Sequence, residues 1–172
     1  MTLVRFRARN HPQQAAMRGA DDDVDDRGTP PELFAALNTE FGPFTLDVAA
    51  STLNAKCDAY FTREQDGLAQ SWAGERVWCN PPYSDLRSWV AKAWDEHEVA
   101  DGIVMLVPAN RTEQRWWQDF VEPHRDRPSS PLQVRFLSGR TRFLHPTRSE
   151  YARPPFGCSV LSWDLQAAEL SA

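Results

Sequence analysis

The amino-acid sequence predicts an α/β fold in which helices cover both faces of a mostly parallel β-sheet. Short β-rich runs alternate with helical segments along the chain, which is the order of elements in layered α/β proteins. Residues 102–107 are apolar without a break, the pattern of a strand buried on both faces in a parallel sheet. Hydrophobic residues make up 41% of the 172 residues and charged residues 25%, so one packed domain can form and wholesale disorder is excluded.

Residues 1–28 are predicted to form a flexible arm, and residues 29–172 a single domain. The arm carries five Asp between residues 21 and 26 and shows neither a helical nor a strand period. No window of the sequence reaches the roughly 18 consecutive apolar residues of a membrane span, and no apolar stretch follows the N-terminal arginines as in a secretory signal. The three cysteines are odd in number and far apart. We therefore expect a cytoplasmic protein with free thiols and no membrane partner.

The first helix is predicted to begin near Thr29 and to end at Gly42. Thr29 can cap it, Pro30 suits its first position, and Glu32 can complete a capping box. One apolar face of this helix is formed by Leu33, Phe34, Leu37 and Phe41. Strands are predicted at residues 44–48, 57–62, 76–79, 102–107, 132–137 and 156–163.

Two more helices are predicted between these strands. The first has an apolar face made of Leu86, Trp89, Val90, Ala93 and Trp94. Thr112 can cap the second, whose inward-facing residues are Trp116, Trp117, Phe120 and Val121. A loop rich in proline and charge at residues 122–131 then leads to the strand at 132–137.

Two polar residues lie at the carboxyl ends of predicted strands. Asp47 ends the strand at 44–48, and Asn80 directly follows the strand at 76–79. Because parallel strands open their carboxyl ends on the same edge of a sheet, where ligands bind, we expect these two side chains to face one cavity.

The tetrapeptide Asn80-Pro81-Pro82-Tyr83 suits a site that holds a planar amino group. The Asn80 side-chain oxygen and the Pro81 carbonyl can each accept one hydrogen of an exocyclic NH₂, which draws the nitrogen lone pair out of conjugation. The prolines keep the loop rigid, and Tyr83 offers an aromatic face to a flat substrate. The alternative is a proline-rich turn at a strand end, in which Asn80 makes a local hydrogen bond.

An arginine-rich segment indicates a nucleic-acid partner. Residues 111–153 carry nine Arg and five acidic residues, whereas the whole chain has a net charge of −5. The planar guanidinium suits phosphates and base edges, although arginines on a solvated surface would give the same count. The candidate contacts to double-stranded DNA are Arg111, Arg115, Arg135, Arg140 and Arg142.

From Thr29 to Trp163 the sequence resembles the phage-type DNA N6-adenine methyltransferases, small Dam-like enzymes that use S-adenosylmethionine. The resemblance rests on several ordered pieces, which are Thr29-Pro30-Pro31-Glu32-Leu33-Phe34, Leu46-Asp47-Val48-Ala49-Ala50-Ser51, Asn54-Ala55-Lys56-Cys57, Tyr60-Phe61-Thr62, Asp66-Gly67-Leu68, Trp72, Trp78-Cys79-Asn80-Pro81-Pro82-Tyr83, Leu106-Val107-Pro108-Ala109, Gly139-Arg140 and Phe143.

This resemblance implies a Rossmann-like methyltransferase fold, S-adenosylmethionine as cofactor, and Asn80, Pro81, Pro82 and Tyr83 as the catalytic motif. It implies that Asp47 lies beside the methionyl part of the cofactor, that Asp66 binds the adenine amino group, and that Thr29-Pro30 lines the methionine end. Ala49-Ala50-Ser51 stands where many methyltransferases have a glycine-rich turn. The implied cofactor contacts are Thr29, Pro30, Asp47, Ala49, Asp66 and Asn80.

The mechanism implied is direct methyl transfer to an adenine flipped out of duplex DNA, in a bacterial or phage-infected cell. The same tetrapeptide also serves other planar nitrogens, namely cytosine N4, guanine N2 of RNA and glutamine amides of proteins. A catalytically silent DNA- or cofactor-binding module and a structural interaction protein are further alternatives. His and Cys lack metal-ligand spacing, so no metal is predicted, and the sequence leaves a monomer and a homodimer both open.

Overall fold

The computed structural model describes residues 25, 28–125, 127–144, 151–152 and 156–165. Its helices are α1 (Pro31–Phe41), α2 (Leu86–Glu96) and α3 (Arg115–Phe120). Its strands are β1 (Leu46–Asp47), β2 (Ala59–Tyr60), β3 (Arg76–Cys79), β4 (Gly102–Pro108), β5 (Leu132–Phe136), β6 (Phe143–Leu144), β7 (Tyr151–Ala152) and β8 (Cys158–Trp163).

Six of these strands form one sheet in the order β2-β1-β3-β4-β8-β5. Strands β2, β1, β3 and β4 run parallel to one another, whereas β8 runs antiparallel to both β4 and β5. All seven residues of β4 are buried, as expected for a central strand covered on both faces. The prediction of a mostly parallel sheet is confirmed, with β8 as its antiparallel member.

Helices cover both faces of the sheet. The strand register places Trp78 and Ser162 on one face, so the neighbouring Trp163 points to the opposite face. Phe34 of α1 packs edge-on against Trp78 at a ring distance of 5.4 Å. Trp94 of α2 packs edge-on against Trp163 at 5.9 Å. The Rossmann-like α/β arrangement predicted from the sequence is therefore present.

The predicted cap of the first helix is wrong. Helix α1 begins at Pro31 with Pro30 as N-cap residue, and no side chain caps it. Pro30 has an extended backbone (φ −56°, ψ 138°), so Thr29 lies one position before the cap. The Thr29 hydroxyl is therefore not used by the helix. The apolar face is as predicted, with Leu37 and Phe41 buried.

The predicted cap of the third helix is also wrong. Thr112 belongs to a turn closed by a hydrogen bond from the Gln114 amide to the Arg111 carbonyl (3.1 Å), and Gln114 is the N-cap residue. The helix begins after this turn, which the sequence reasoning did not foresee. Trp116 and Trp117 are buried as predicted.

A small antiparallel hairpin of β6 and β7 was not predicted. Its strand β6 also pairs with the N-terminal part of the chain, because Gly28 and Leu144 exchange two backbone hydrogen bonds of 3.1 and 2.8 Å. Gly28 and Asp25 belong to the predicted arm, and the rest of that arm lies outside the described residues. The boundaries of the arm and the domain stay predictions.

No helix in the described ranges has the length and apolar character needed to cross a bilayer.

Candidate active site

A cleft of about 180 Å³ opens at the carboxyl ends of β1 and β3. Its walls are formed by Gly28, Thr29, Asp47, Ala49, Asn54, Lys56, Trp78 and Asn80. Four residues that the sequence singled out as site residues thus lie together, although they come from three separate stretches of the chain.

The sheet brings Asp47 and Asn80 together. Strands β1 and β3 are parallel neighbours with Asp47 in register with Trp78, and the Val48 amide donates to the Trp78 carbonyl at 3.1 Å. Both strands end at this level, so the last residue of β1 and the residue after β3 reach the same edge.

Asp47 is buried, with 3% of its surface exposed. Its Oδ1 accepts from the Ala49 amide at 3.3 Å, and its Oδ2 accepts from the Lys56 amide at 3.0 Å. Burial raises the pKa of this carboxyl to about 6, although the two amides and the Lys56 charge act in the opposite direction. The group is therefore mostly ionised at neutral pH and becomes protonated in mildly acidic solution.

The turn after β1 does not need glycine. Among the described residues, the non-glycine residues with positive φ are Asp66 and Asp164, so Ala49-Ala50-Ser51 adopts ordinary backbone conformations. The Asp47 carboxylate organises this turn by accepting from both ends of residues 49–56. Asn54 closes it further by accepting from the Ser51 amide at 2.7 Å.

The loop Asn80 to Tyr83 is anchored by hydrogen bonds beyond its own residues. Nη1 of Arg111 donates to the Tyr83 carbonyl at 2.6 Å. Ser84 donates to Asp25 through its amide at 3.1 Å and its hydroxyl at 2.5 Å. Pro81 is buried and Asn80 Oδ1 is inaccessible to solvent. These contacts add to the rigidity that the two prolines give the loop.

Tyr83 is 9% exposed and belongs to an aromatic cluster. Its ring meets Phe143 edge-on at 6.1 Å and lies tilted against Phe156 at 6.3 Å. Its hydroxyl lies 4.0 Å from Cys158 Sγ, and burial raises its pKa well above the usual value. Because Tyr83 is buried, stacking of a substrate ring on it, as predicted, would require neighbouring side chains to move.

Asp66 and Pro30 are not among the residues that line the cleft. Asp66 is exposed in a turn, with a positive φ of 51°, and its Oδ1 accepts from the Leu68 amide at 3.2 Å. Its predicted contact with the cofactor adenine is therefore outside this cleft. Pro30 is buried beside Thr29.

The five predicted DNA-binding arginines fall into two groups. Arg111 is bound to the Tyr83 carbonyl, and Arg135 forms an ion pair with Glu40 of α1. Arg135 is itself exposed, as are Arg115, Arg140 and Arg142.

Sequence reasoning missed Lys56 as a residue of the cleft. The piece Asn54-Ala55-Lys56-Cys57 carries part of the family resemblance, which implies no role for the lysine. Its link to Asp47 spans nine residues and uses a backbone amide, which every residue except proline possesses. The piece follows soon after the predicted strand that ends with Asp47, and this position is the signal that could have placed Lys56 at the cleft.

The chain resembles known methyltransferases. Residues 18–166 match the family model described as "DNA N-6-adenine-methyltransferase (Dam)". A segment of 85 residues, 49% of this chain, is 38% identical to a DNA N-6-adenine-methyltransferase of Escherichia phage T1 and covers 36% of that protein. A segment of 78 residues, 45% of the chain, is 30% identical to one of Haemophilus phage HP1 and covers 45% of it.

Two further similarities were found. A segment of 62 residues, 32% of the chain, is 45% identical to YfdM of Escherichia coli, provisionally named a methyltransferase, and covers 67% of that protein. Among solved structures, one from Pyrococcus horikoshii, provisionally described as the RNA methyltransferase PH1948, has a TM-score of 0.45 and 16% identity. This match covers 83% of this chain and 76% of the other.

Proposed function

The chain belongs to the Dam family of DNA N-6-adenine-methyltransferases, and from this premise we propose that it transfers a methyl group from S-adenosylmethionine to N6 of adenine in double-stranded DNA. The proposal rests above all on the cleft at the carboxyl ends of β1 and β3, which brings Asp47 and Asn80 together. A carboxylate that can bind a cationic cofactor thereby lies next to an amide that can bind an amino group.

The residues of the cleft fit part of the cofactor. We assign the cleft to the amino-acid end, because its lining includes a carboxylate, a hydroxyl and an ammonium group. Thr29 Oγ1 is buried there and has no hydrogen-bond partner among the described residues. That hydroxyl and the Asp47 carboxylate can both accept from an ammonium group.

The proposed cofactor contacts comprise these two residues and others that the family resemblance suggests. They are Thr29, Pro30, Asp47, Ala49, Asp66 and Asn80.

The proposed catalytic role of the Asn80 loop is to bind and orient the target amino group. When bound, the cofactor supplies a methyl group on a sulfonium. The Asn80 side-chain oxygen and the Pro81 carbonyl would accept the two N6 hydrogens, which would leave the nitrogen lone pair available to that methyl group. As the N–CH₃ bond formed, the S–CH₃ bond would break, the sulfonium would become a neutral thioether, and one N6 proton would be released to water. The anchored loop holds the backbone at both acceptors in place, and Asn80 Oδ1, which is inaccessible to solvent in the structure, has to become exposed when the amino group arrives.

Direct displacement agrees with the state of the neighbouring thiol. Cys79 is fully buried, and burial raises its pKa well above the usual value. A thiol that stays protonated is a poor nucleophile. We therefore assign no covalent step to Cys79.

The base has to leave the duplex to reach Asn80. We propose that the flipped adenine packs on Tyr83 and displaces Phe143 or Phe156 from its ring. The free energy of such stacking is about 1–3 kcal/mol, comparable with that of the aromatic contacts it replaces. Exposed arginines of the segment 111–153 would hold the phosphates.

The test is product identification. The protein is incubated with unmethylated duplex DNA and S-adenosylmethionine carrying a labelled methyl group, the DNA is digested to nucleosides, and the labelled base is identified by mass spectrometry. We expect label in N6-methyladenine. Label in N4-methylcytosine, or label that appears with RNA or protein substrates and not with DNA, would overturn the proposal.

Two variants separate the proposed roles of the strand-end residues. Asn80→Ala should lose at least about 100-fold in turnover at saturating cofactor, because an oriented hydrogen-bond acceptor is removed. Cys79→Ala should stay within about threefold of wild-type turnover, since the thiol takes no part in the chemistry. Full activity of Asn80→Ala would contradict the mechanism.

A further inference from the structure

We propose that the side chain of Lys56 binds the carboxylate of the amino-acid end of S-adenosylmethionine. The inference rests on the proposed function, because it assumes that the cleft receives this cofactor. It adds a binding residue that neither the sequence reasoning nor the family match assigns.

The first argument is position. Lys56 lines the same cleft as Asp47, Thr29 and Asn80. Its backbone is fixed there by the 3.0 Å hydrogen bond from its amide to Asp47 Oδ2. The lysine is therefore held at the cleft by its main chain, and its ammonium is left for another partner.

The second argument is charge. Among the described residues that line the cleft, Asp47 carries a negative charge and Lys56 a positive one. The amino-acid end of the cofactor is a zwitterion with one ammonium and one carboxylate. An acid and a base side by side match that pair of charges, whereas an acid alone would leave the carboxylate facing a negative wall.

The third argument is the environment of the ammonium. Lys56 is half-buried and has no ion pair within 4 Å among the residues that the structure describes. Burial lowers its pKa, against the more distant charges of Asp47 and Glu32. An anion bound at the cleft would replace the hydration that the ammonium has lost.

The experiment compares two cofactors that differ by the carboxylate alone. Binding of S-adenosylmethionine and of decarboxylated S-adenosylmethionine is measured by calorimetry at about pH 7.5, where Asp47 is ionised. We expect the wild-type protein to bind the complete cofactor about tenfold more tightly or better, the effect of a hydrogen bond to a charged group. Lys56→Met should lose this preference and bind the decarboxylated form as the wild type does.

Lysine 92 provides a matched control. The chain has two lysines, and Lys92 lies on α2 in an ion pair with Glu96. Lys92→Met should leave the affinity for both cofactors unchanged. Lys56→Arg should restore part of the preference, because a guanidinium also binds a carboxylate.

Several outcomes would overturn the inference. If Lys56→Met weakens both cofactors equally, the lysine acts through the shape of the cleft. If the wild type itself binds the two cofactors equally, the carboxylate has no partner, and this result holds even if the variant fails to fold. If the wild type binds neither cofactor, the proposed function fails, and the inference fails with it.

Discussion

The almost fully buried carboxylate of Asp47 has two roles in this candidate site. Asp47 holds the turn of residues 49–56 through two backbone amides, and it supplies negative charge to the cleft. Its pKa of about 6 means that burial outweighs the two amides and the Lys56 charge. The charge that we propose to attract the cationic cofactor can therefore be removed by mild acid.

We predict that cofactor affinity depends on pH through Asp47. Affinity for S-adenosylmethionine should be constant above about pH 7 and fall by up to tenfold per pH unit below about 6, as the carboxylate is neutralised. Calorimetric titrations between pH 5 and pH 8, at values spaced about half a unit around that pKa, test this. Asp47→Asn should bind more weakly and show no such dependence; an equal slope in the variant would contradict the assignment.

The same pKa shift has the opposite sign for stability. The folded protein holds the Asp47 proton up to about pH 6, whereas the unfolded chain releases it near 3.8. The free energy of unfolding that this group contributes is therefore present below about pH 4 and is lost as the pH rises to 6. Urea unfolding measures this effect. The free energy of unfolding of the wild type minus that of Asp47→Asn should fall as the pH rises across this interval.

At the scale of elements, Gly67 joins the Asp66-Gly67-Leu68 turn to the end of β1. A Cβ atom at Gly67 would lie 2.1 Å from the Val48 carbonyl oxygen and 3.2 Å from the Trp89 ring. The Gly67 carbonyl also accepts from Trp72 Nε1 at 3.0 Å. The turn thus has a packing role of its own, whether or not Asp66 binds the cofactor.

We predict that Gly67→Ala costs about 3 kcal/mol of unfolding free energy, because backbone atoms would have to shift. Gly74→Ala is the control. Gly74 has a φ of 72° with no atom within 4 Å of an added Cβ, so its substitution should cost about 1 kcal/mol through backbone strain alone. Urea unfolding followed by tryptophan fluorescence measures both; equal losses would show that the close approach is relieved cheaply.

The loop Asn80 to Tyr83 depends on an arginine that follows β4. Because Arg111 donates to the Tyr83 carbonyl, we predict that Arg111→Ala lowers kcat about tenfold through a misplaced Asn80, with cofactor affinity within about twofold of wild type. Arg115→Ala, at the exposed start of α3, should leave kcat unchanged. Steady-state kinetics with saturating cofactor decide, and a change confined to the KM for DNA would instead indicate a phosphate contact.

At the scale of the whole molecule, the exposed arginines should govern the salt dependence of DNA binding. We predict that replacing Arg140 and Arg142 together with Ala reduces the slope of log affinity against log salt by about 1.8. Arg135→Ala should change the slope little, because Arg135 pairs with Glu40. Fluorescence anisotropy over a series of salt concentrations measures the slopes, and a larger effect of Arg135 would show that its ion pair opens on DNA.

Local patterns predicted the parts of the fold that depend on local chemistry. The apolar run of β4 and the prolines after Cys79 predicted two central strands correctly. The direction of β8 was not predicted, because a buried antiparallel strand has the same apolar pattern as a buried parallel one. The burial of Tyr83 depends on residues about 60 and 73 positions further along the chain, Phe143 and Phe156, so no window of sequence contains it.

The position of β8 has a consequence for synthesis on the ribosome. This strand is the last of the described strands, yet it lies between β4 and β5 and is the sheet partner of both. Until residues 158–163 leave the exit tunnel, β4 has one open edge and β5 has nothing to pair with among the described strands of the sheet. In the nascent protein, one edge of β4 therefore stays unpaired until β8 has been synthesised. A premature stop codon before residue 158 would release a product with this open edge, which would be prone to aggregation.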